Sequence, residues 1–157
     1  MKLAELIRED SIVLDFEAAD KWKAIDRLVD HLVAAGRVKA SQKKLVHDAL
    51  VAREKIASTG MEHGVALPHA QIEGLDEAAA ALAIAPQGVP FASVDKKPAT
   101  LIALLVIPRR SIRQHVRALA AIARLLSSAE MRATLLSSKS SKEAAETMAR
   151  EEAKEFA

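Results

Sequence analysis

Histidines are the residues of this sequence best suited to chemistry, because the chain has no cysteine that could supply a thiol nucleophile, a disulfide or a thiolate ligand. A neutral imidazole can act as a nucleophile, an acid–base group or a metal ligand near neutral pH. The five histidines are His31, His47, His63, His69 and His115. His31 and His47 lie inside helical patterns, away from any predicted loop. We therefore expect these two to be structural or exposed, and we look to the others for function.

His69 has the most unusual position of the five. It follows the short apolar run 65–67 and comes directly after Pro68. Proline fixes φ and has no N–H group, so it cannot easily extend a central strand. We predict that Pro68 ends a strand and holds His69 at its tip, where ligand sites of open α/β sheets lie. The alternative is a turn histidine without a chemical role.

His115 lies in a segment with a strong helical pattern. Ser111 and Gln114 have the spacing of a capping box, which predicts a helix from there to about Leu126. At 100° per residue, His115 falls on the apolar face near the edge of the core, where it is either a core residue or reaches a cleft. The opposite face carries the arginines Arg113, Arg117 and Arg124. That face is most simply solvated, although an acidic partner could use it.

The elements that must position these residues alternate between strand and helix. Apolar or β-branched runs predict strands at 11–16, 65–67 and 101–107, and the last is apolar enough to be buried on both faces. The alanine-rich segment 79–85 fits either a strand or a helix. Pro86 and Pro90 predict a turn after it.

Helices are predicted from the amphipathic spacing between these strands. One runs from about Asp20 to Gly36, and a second begins at Ser41 with Leu45 among its inward positions. Capping-box spacings predict two further short helices, beginning near 127–130 and 140–143. The alternation indicates an α/β layered domain.

The composition is that of a soluble globular protein. The chain has 157 residues, 50% of them hydrophobic, enough for one domain with a core. A formal net charge of +2 does not support a nucleic-acid partner. No signal-peptide stretch begins the chain, and its longest apolar run is far below the ~20 residues of a membrane span. We expect a cytoplasmic protein without membrane insertion, with its domain at residues 1–150 and a charged, frayed end at 151–157.

The segment 52–70, AREKIASTGMEHGVALPHA, resembles the active-site region of the enzyme IIA domains of the bacterial sugar phosphotransferase system, of the fructose/mannitol type. This group includes the nitrogen-regulatory IIA proteins. The pattern consists of Arg53-Glu54, Thr59-Gly60 and the run V-A-L-P-H-A. Segments 11–38 and 109–126 are similar to the family's opening strand and helix and to its helix with a second histidine. The resemblance implies a single α/β domain with a mixed sheet flanked by helices.

The resemblance also implies roles for three side chains. His69 matches the phosphorylated histidine, His115 the second active-site histidine, and Arg53 the arginine near the phosphoryl group. Phosphoryl transfer depends mainly on positioning and on compensation of negative charge, which the planar guanidinium donors suit. Glu62 departs from the family pattern, and we expect it to point to solvent. No cofactor or metal is implied, and no ATP-binding GxxxxGK[ST] motif occurs.

Three hypotheses of function follow. The first is a phosphocarrier that accepts a phosphoryl group on His69 from an HPr-like protein and passes it to a IIB domain of a sugar permease. It would use shallow, transient interfaces ringed by apolar residues such as Val65, Leu67 and Ile72. The second is a regulatory protein that binds a target and is switched by the charge of the phosphoryl group. The third and weakest is a metal-dependent hydrolase using Glu62, His63 and His69.

Overall fold

The computed structural model describes residues 2–155 and has a five-stranded mixed sheet between two layers of helices. The helices are Leu3–Leu6 (α1), Lys21–Ala34 (α2), Lys43–Ile56 (α3), Ile112–Leu126 (α4), Ala129–Leu136 (α5) and Ser141–Glu155 (α6). The strands are Ile12–Val13 (β1), Val65–Ala66 (β2), His69–Ile72 (β3), Ala79–Val89 (β4) and Ala99–Pro108 (β5). The predicted fold class, α/β with a mixed sheet flanked by helices, is confirmed.

The sheet has the strand order β1-β4-β5-β2, and β3 follows β2 along the same edge of β5. β4 and β5 are antiparallel, whereas β1 is parallel to β4, and β2 and β3 are parallel to β5. β5 is therefore paired on both sides. It is also buried on both faces, as its unbroken apolar run predicts.

Side chains of the central strands alternate between two cores. The alanines of β4 at 79, 81, 83 and 85 pack on the side of α2 and α3, while Leu82 and Ile84 pack on the side of α4 and α5. Small residues on one face let helices approach the sheet closely. The ambiguous segment 79–85 is thus a strand, and the turn predicted at Pro86 is wrong. β4 continues through Pro86 to Val89, with an irregular register after Ile84.

Several predicted element boundaries differ from the structure. The predicted strand 11–16 is only two residues long, because Asp15 has a positive φ of 50°. Three-residue 3₁₀ turns precede α3 and α4, and Ser111 makes no side-chain cap bond because the chain enters α4 directly from its turn. Leu45 is exposed rather than inward. Ser128 caps α5, one residue later than predicted, while Ser140 accepts a hydrogen bond from the Glu143 N–H as its capping box implies.

The charged end of the chain is more ordered than the sequence predicts. α6 continues to Glu155, and Glu152 is buried. Its carboxylate accepts hydrogen bonds from the N–H groups of Leu3 and Ala4, which begin α1 and have no partner within that helix. Residues 156 and 157 lie outside the described residues. Between residues 2 and 155, no helix has both the length and the apolar composition needed to cross a membrane.

Candidate functional site

His69 is the first residue of β3, inside an interrupted edge strand. Val65 pairs with Leu101 and His69 with Leu105, so the register on β5 is unchanged across the gap. The Pro68 carbonyl even accepts a hydrogen bond from the Leu105 N–H at 3.0 Å. The predicted strand does end before Pro68, since β2 stops at Ala66, but the prediction that His69 lies at a strand tip is wrong, because His69 begins β3. Proline is tolerated here because edge strands need fewer N–H donors.

The ring of His69 is oriented by the main chain. Its Nδ1 lies 2.6 Å from the carbonyl oxygen of Leu67. A carbonyl oxygen can only accept, so Nδ1 carries the proton of the neutral ring. The lone pair is then on Nε2, which makes that nitrogen the nucleophilic one. The residue is partly buried, so the ring is supported on one side and accessible on the other.

His115 lies in the first turn of α4 with its ring close to that of His69. The ring centroids are 5.5 Å apart, with an angle of 50° between the planes. His115 is only 6% exposed, and its Nδ1 is buried without a hydrogen-bond partner among the described residues. Burial, and secondarily the charge of His69, lower the pKa of His115. The ring is therefore neutral near pH 7.

Arg53 approaches the two rings from the last turn of α3. It lines a cleft of about 320 Å³ together with His69 and His115. One guanidinium nitrogen, NH1, donates to the carbonyl oxygen of Ala57 at 2.9 Å, which fixes the side chain against the end of its own helix. The other N–H groups of the fork are available for an anion. The structure thus brings all three predicted site residues together.

Glu54 supports this arrangement and was given no role by the sequence analysis. Its buried carboxylate accepts bonds from the N–H and hydroxyl of Thr59, at 2.8 and 2.6 Å, and from Lys21 Nζ at 3.2 Å. These bonds hold the turn after α3, which includes the Ala57 carbonyl that orients Arg53. Glu54 continues the inward stripe of Val46 and Leu50. An acidic residue on an apolar stripe was the signal that could have identified it.

The site opens onto a cleft of about 700 Å³ with an apolar rim. Exposed rim residues beside His69 are Met61, Val94 and Val116. The residues expected to form this ring, Val65, Leu67 and Ile72, are instead 2–5% exposed. They are buried because helices or loops cover both faces of the strand. The apolar surface comes from the flanking loops and from α4.

The residues of the metal-hydrolase hypothesis do not assemble into a site. Glu62 is exposed, as expected, and its Oε2 lies 3.7 Å from Nε2 of the equally exposed His63. His63 itself has a positive φ of 63° in the turn before β2. Within residues 2–155, no group of three or more histidine, aspartate or glutamate side chains is placed to hold a metal ion.

Residues 5–151 match the protein family described as "Phosphoenolpyruvate-dependent sugar phosphotransferase system, EIIA 2". The chain belongs to this family. The fructose-specific EIIA component of Haloferax volcanii is 35% identical over 129 residues, which are 82% of each protein. The fructose-specific EIIABC component of Bacillus subtilis is 32% identical over 140 residues, 89% of this chain, and the chain spans 22% of its length.

Solved structures agree with this membership. The Nitrogen Regulatory Protein IIA-Ntr from Neisseria meningitidis has a TM-score of 0.84 and 29% identity, over 93% of this chain and 98% of that one. The mannitol IIA enzyme of Escherichia coli, solved in complex with phosphorylated mannitol IIB, has a TM-score of 0.77 and covers 92% of this chain and 99% of its own. At 22% identity the latter establishes a shared fold.

Proposed function

We propose that this EIIA-family protein is a phosphocarrier that accepts a phosphoryl group on Nε2 of His69. The observation that supports this most directly is the hydrogen bond from His69 Nδ1 to the Leu67 carbonyl. It leaves the Nε2 lone pair free for attack and fixes the plane of the ring. The donor is a phosphorylated HPr-like protein, and the acceptor is a IIB domain. The complex of the E. coli mannitol IIA with phosphorylated IIB supports that acceptor.

The transfer step exchanges one phosphorus–nitrogen bond for another. The His69 Nε2 lone pair attacks the phosphorus of the donor's phosphohistidine, and the donor's P–N bond breaks with its electron pair returning to the donor ring. The His69 ring then carries positive charge, which the Nδ1–H bond to the Leu67 carbonyl stabilises. Little covalent assistance is required, because such transfers depend on in-line positioning and on compensation of negative charge.

Arg53 and His115 provide that compensation in this proposal. The free N–H groups of Arg53 suit the oxygens of the phosphoryl group, and the guanidinium stays charged throughout. His115 is neutral, with Nδ1 buried, so a proton on Nε2 would let it donate a hydrogen bond to a phosphoryl oxygen. Neither group needs to move far, since both line the same cleft as His69.

Phosphorylation by an HPr-like protein tests the proposal. We expect wild-type protein to take up one phosphoryl group, and ³¹P and ¹⁵N NMR to place it on Nε2 of a histidine. His69→Ala should take up none while keeping the wild-type circular dichroism spectrum. Equal labelling of His69→Ala, or a phosphoryl group on Nδ1, would contradict the assignment.

A second function is supported by the similarity to the nitrogen regulatory IIA protein of N. meningitidis. In that case the protein binds a target such as a transporter or kinase, and phosphorylation of His69 switches the interaction by adding negative charge. Pull-downs with wild type and His69→Asp distinguish the two functions. Targets retained equally by both would argue against the switch.

A further inference from the structure

The two clefts at the site have three residues in common, which are His69, His115 and Gln71. One is the cleft of about 700 Å³ with the apolar rim, and the other is the cleft of about 320 Å³ that contains Arg53. The shared residues lie where the clefts meet, so a group attached to the His69 ring lies beside all three. The two histidines have roles in the proposed transfer, whereas Gln71 has none.

Gln71 faces the clefts because side chains alternate along β3. Successive residues of a strand point to opposite faces, so His69 and Gln71 share one face, and Ala70 and Ile72 share the other. Burial agrees with this, since Ala70 and Ile72 are core residues while His69 and Gln71 are partly exposed. Residues two apart on a strand are separated by roughly 7 Å, so both side chains can reach one bound group.

The orientation of the His69 ring turns its nucleophilic nitrogen toward Gln71. Nδ1 is held 2.6 Å from the carbonyl oxygen of Leu67, two residues before His69. Nε2 belongs to the opposite edge of the ring, and Gln71 lies two residues beyond His69 on the same face of the strand. The carboxamide of Gln71 makes no hydrogen bond within residues 2–155, so its two N–H donors are available to a bound group.

A phosphoryl group has three acceptor oxygens, and Arg53 and His115 supply only two side chains to them in the proposed site. We propose that Gln71 is a third phosphoryl-binding residue, whose carboxamide N–H donates a hydrogen bond to an oxygen of the phosphoryl group on His69. The carboxamide is a neutral donor, so it does not repel the positive charge that the phosphorylated ring carries. It transfers no proton and forms no covalent bond. This inference rests on the proposed phosphocarrier function.

Two substitutions of similar length separate hydrogen bonding from packing. Gln71→Met has no N–H, and we expect it to slow phosphorylation about fivefold to tenfold, the effect of losing one neutral hydrogen bond. Gln71→Glu replaces the donor by a carboxylate that repels the phosphoryl group, and should slow it about 10²-fold. Both rates should fall by similar factors with two donors, the phosphorylated HPr-like protein and phosphoramidate, a small molecule that transfers its phosphoryl group and releases ammonia.

Gln87 provides the matched control. It is exposed near the end of β4 and lines neither cleft at the site. Gln87→Met and Gln87→Glu should be phosphorylated at the wild-type rate by both donors, and equal slowing in these variants overturns the proposal. A direct measurement uses wild-type protein and therefore does not depend on the folding of a variant. In ¹H–¹⁵N NMR spectra, the side-chain amide signals of Gln71 should shift on phosphorylation of His69, and those of Gln87 should not.

The other outcomes separate this inference from the function on which it rests. A wild-type rate in Gln71→Met overturns the proposal even if Gln71→Glu is slow, because only charge near His69 would then matter. Slowing with the protein donor alone assigns Gln71 to the interface with that donor and also overturns it, as do unshifted Gln71 amide signals. Wild type labelled by neither donor refutes the phosphocarrier function itself, whereas labelled wild type with unaffected Gln71 variants refutes only the role of Gln71.

Discussion

His69 and His115 have adjacent rings but opposite surroundings. His69 is partly exposed on an edge strand, and a main-chain carbonyl fixes its tautomer. His115 is buried in a helix, and its inner nitrogen has no partner among the described residues. The first environment exposes a lone pair to an incoming group, while the second disfavours charge. Two identical side chains whose ring centroids lie 5.5 Å apart thus have surroundings that suit the different tasks we propose for them, nucleophile for His69 and neutral donor for His115.

Replacing each histidine by alanine should reveal the largest difference between His69 and His115, in the rate of phosphoryl transfer. We expect His69→Ala to abolish transfer from the HPr-like donor, because His115 is too buried to replace it as acceptor. His115→Ala should slow transfer about 10²-fold, the usual effect of losing one donor to a developing charge. Single-turnover kinetics of label transfer provide the measurement. His115→Gln, which keeps an N–H donor, should retain more activity, and equal defects in both variants would argue against hydrogen-bond donation.

The support beneath Arg53 should be the next most sensitive feature. Glu54→Gln removes the ion pair with Lys21 and weakens the bonds to Thr59 in a buried setting. We expect the free energy of unfolding to fall by about 1–3 kcal/mol, together with a slower transfer. Urea denaturation measures the first effect. Glu151→Gln serves as the control, because its pair with Lys154 is more exposed. Equal losses in both variants would contradict the supporting role of Glu54.

Arg53 itself should show a smaller effect when its charge is kept. Arg53→Lys loses the planar fork and one charge-assisted hydrogen bond, so we expect transfer to slow by about tenfold. Arg132→Lys also removes guanidinium bonds to backbone carbonyls, but away from the cleft, and should transfer at the wild-type rate. Initial rates with the same donor make the comparison. A wild-type rate in Arg53→Lys would mean that only positive charge is needed.

The smallest expected effect is the contribution of His115 to the pH dependence of the free energy of unfolding. The lowered pKa of His115 means that the unfolded chain binds more protons below its ordinary value of about 6.5. Stability from the neutral, buried ring is therefore complete above that pH and is lost as pH falls. The free energies of unfolding of wild type and His115→Gln, measured by urea denaturation, should approach each other as the pH falls below 6.5, by at most about 1.4 kcal/mol per pH unit. Parallel curves would contradict this.

Local sequence signals were sufficient for elements that depend on their own residues. Asp20 caps α2 by accepting the Lys23 N–H, and the apolar run of β5 is buried as expected. Local sequence signals gave wrong predictions where pairing with a strand remote in sequence decides the secondary structure. His69 was placed at a strand tip and Pro86 in a turn, yet β5 pairs with His69 in β3 and with Val89 of β4 beyond Pro86.

The candidate site likewise has features that local sequence predicts and features that it does not. His69 could be selected from its position after Pro68, but its tautomer depends on the Leu67 carbonyl, which no pattern specifies. The contact of His69 with His115 requires β3 to lie beside β5 and α4 to follow directly from β5. The family resemblance predicted that pair, whereas periodicity alone did not. The rim was predicted wrongly because burial of Leu67 and Ile72 is decided by elements remote in sequence.

The break in the edge strand has a consequence for how other chains can approach. A continuous edge offers a row of free N–H and C=O groups, to which a foreign strand can add. Here Pro68 contributes no N–H. The loop before β2 already bonds to this edge, because the Met61 N–H donates to the Val65 carbonyl and the Leu67 N–H donates to the Thr59 carbonyl. The part of the edge that directly precedes His69 is thus already paired at Val65 and Leu67 and offers no free row of groups to an added strand. In the proposed function, a protein that reaches His69 past Pro68 would contact side chains rather than pair as a strand, so its recognition would depend on surface shape and charge.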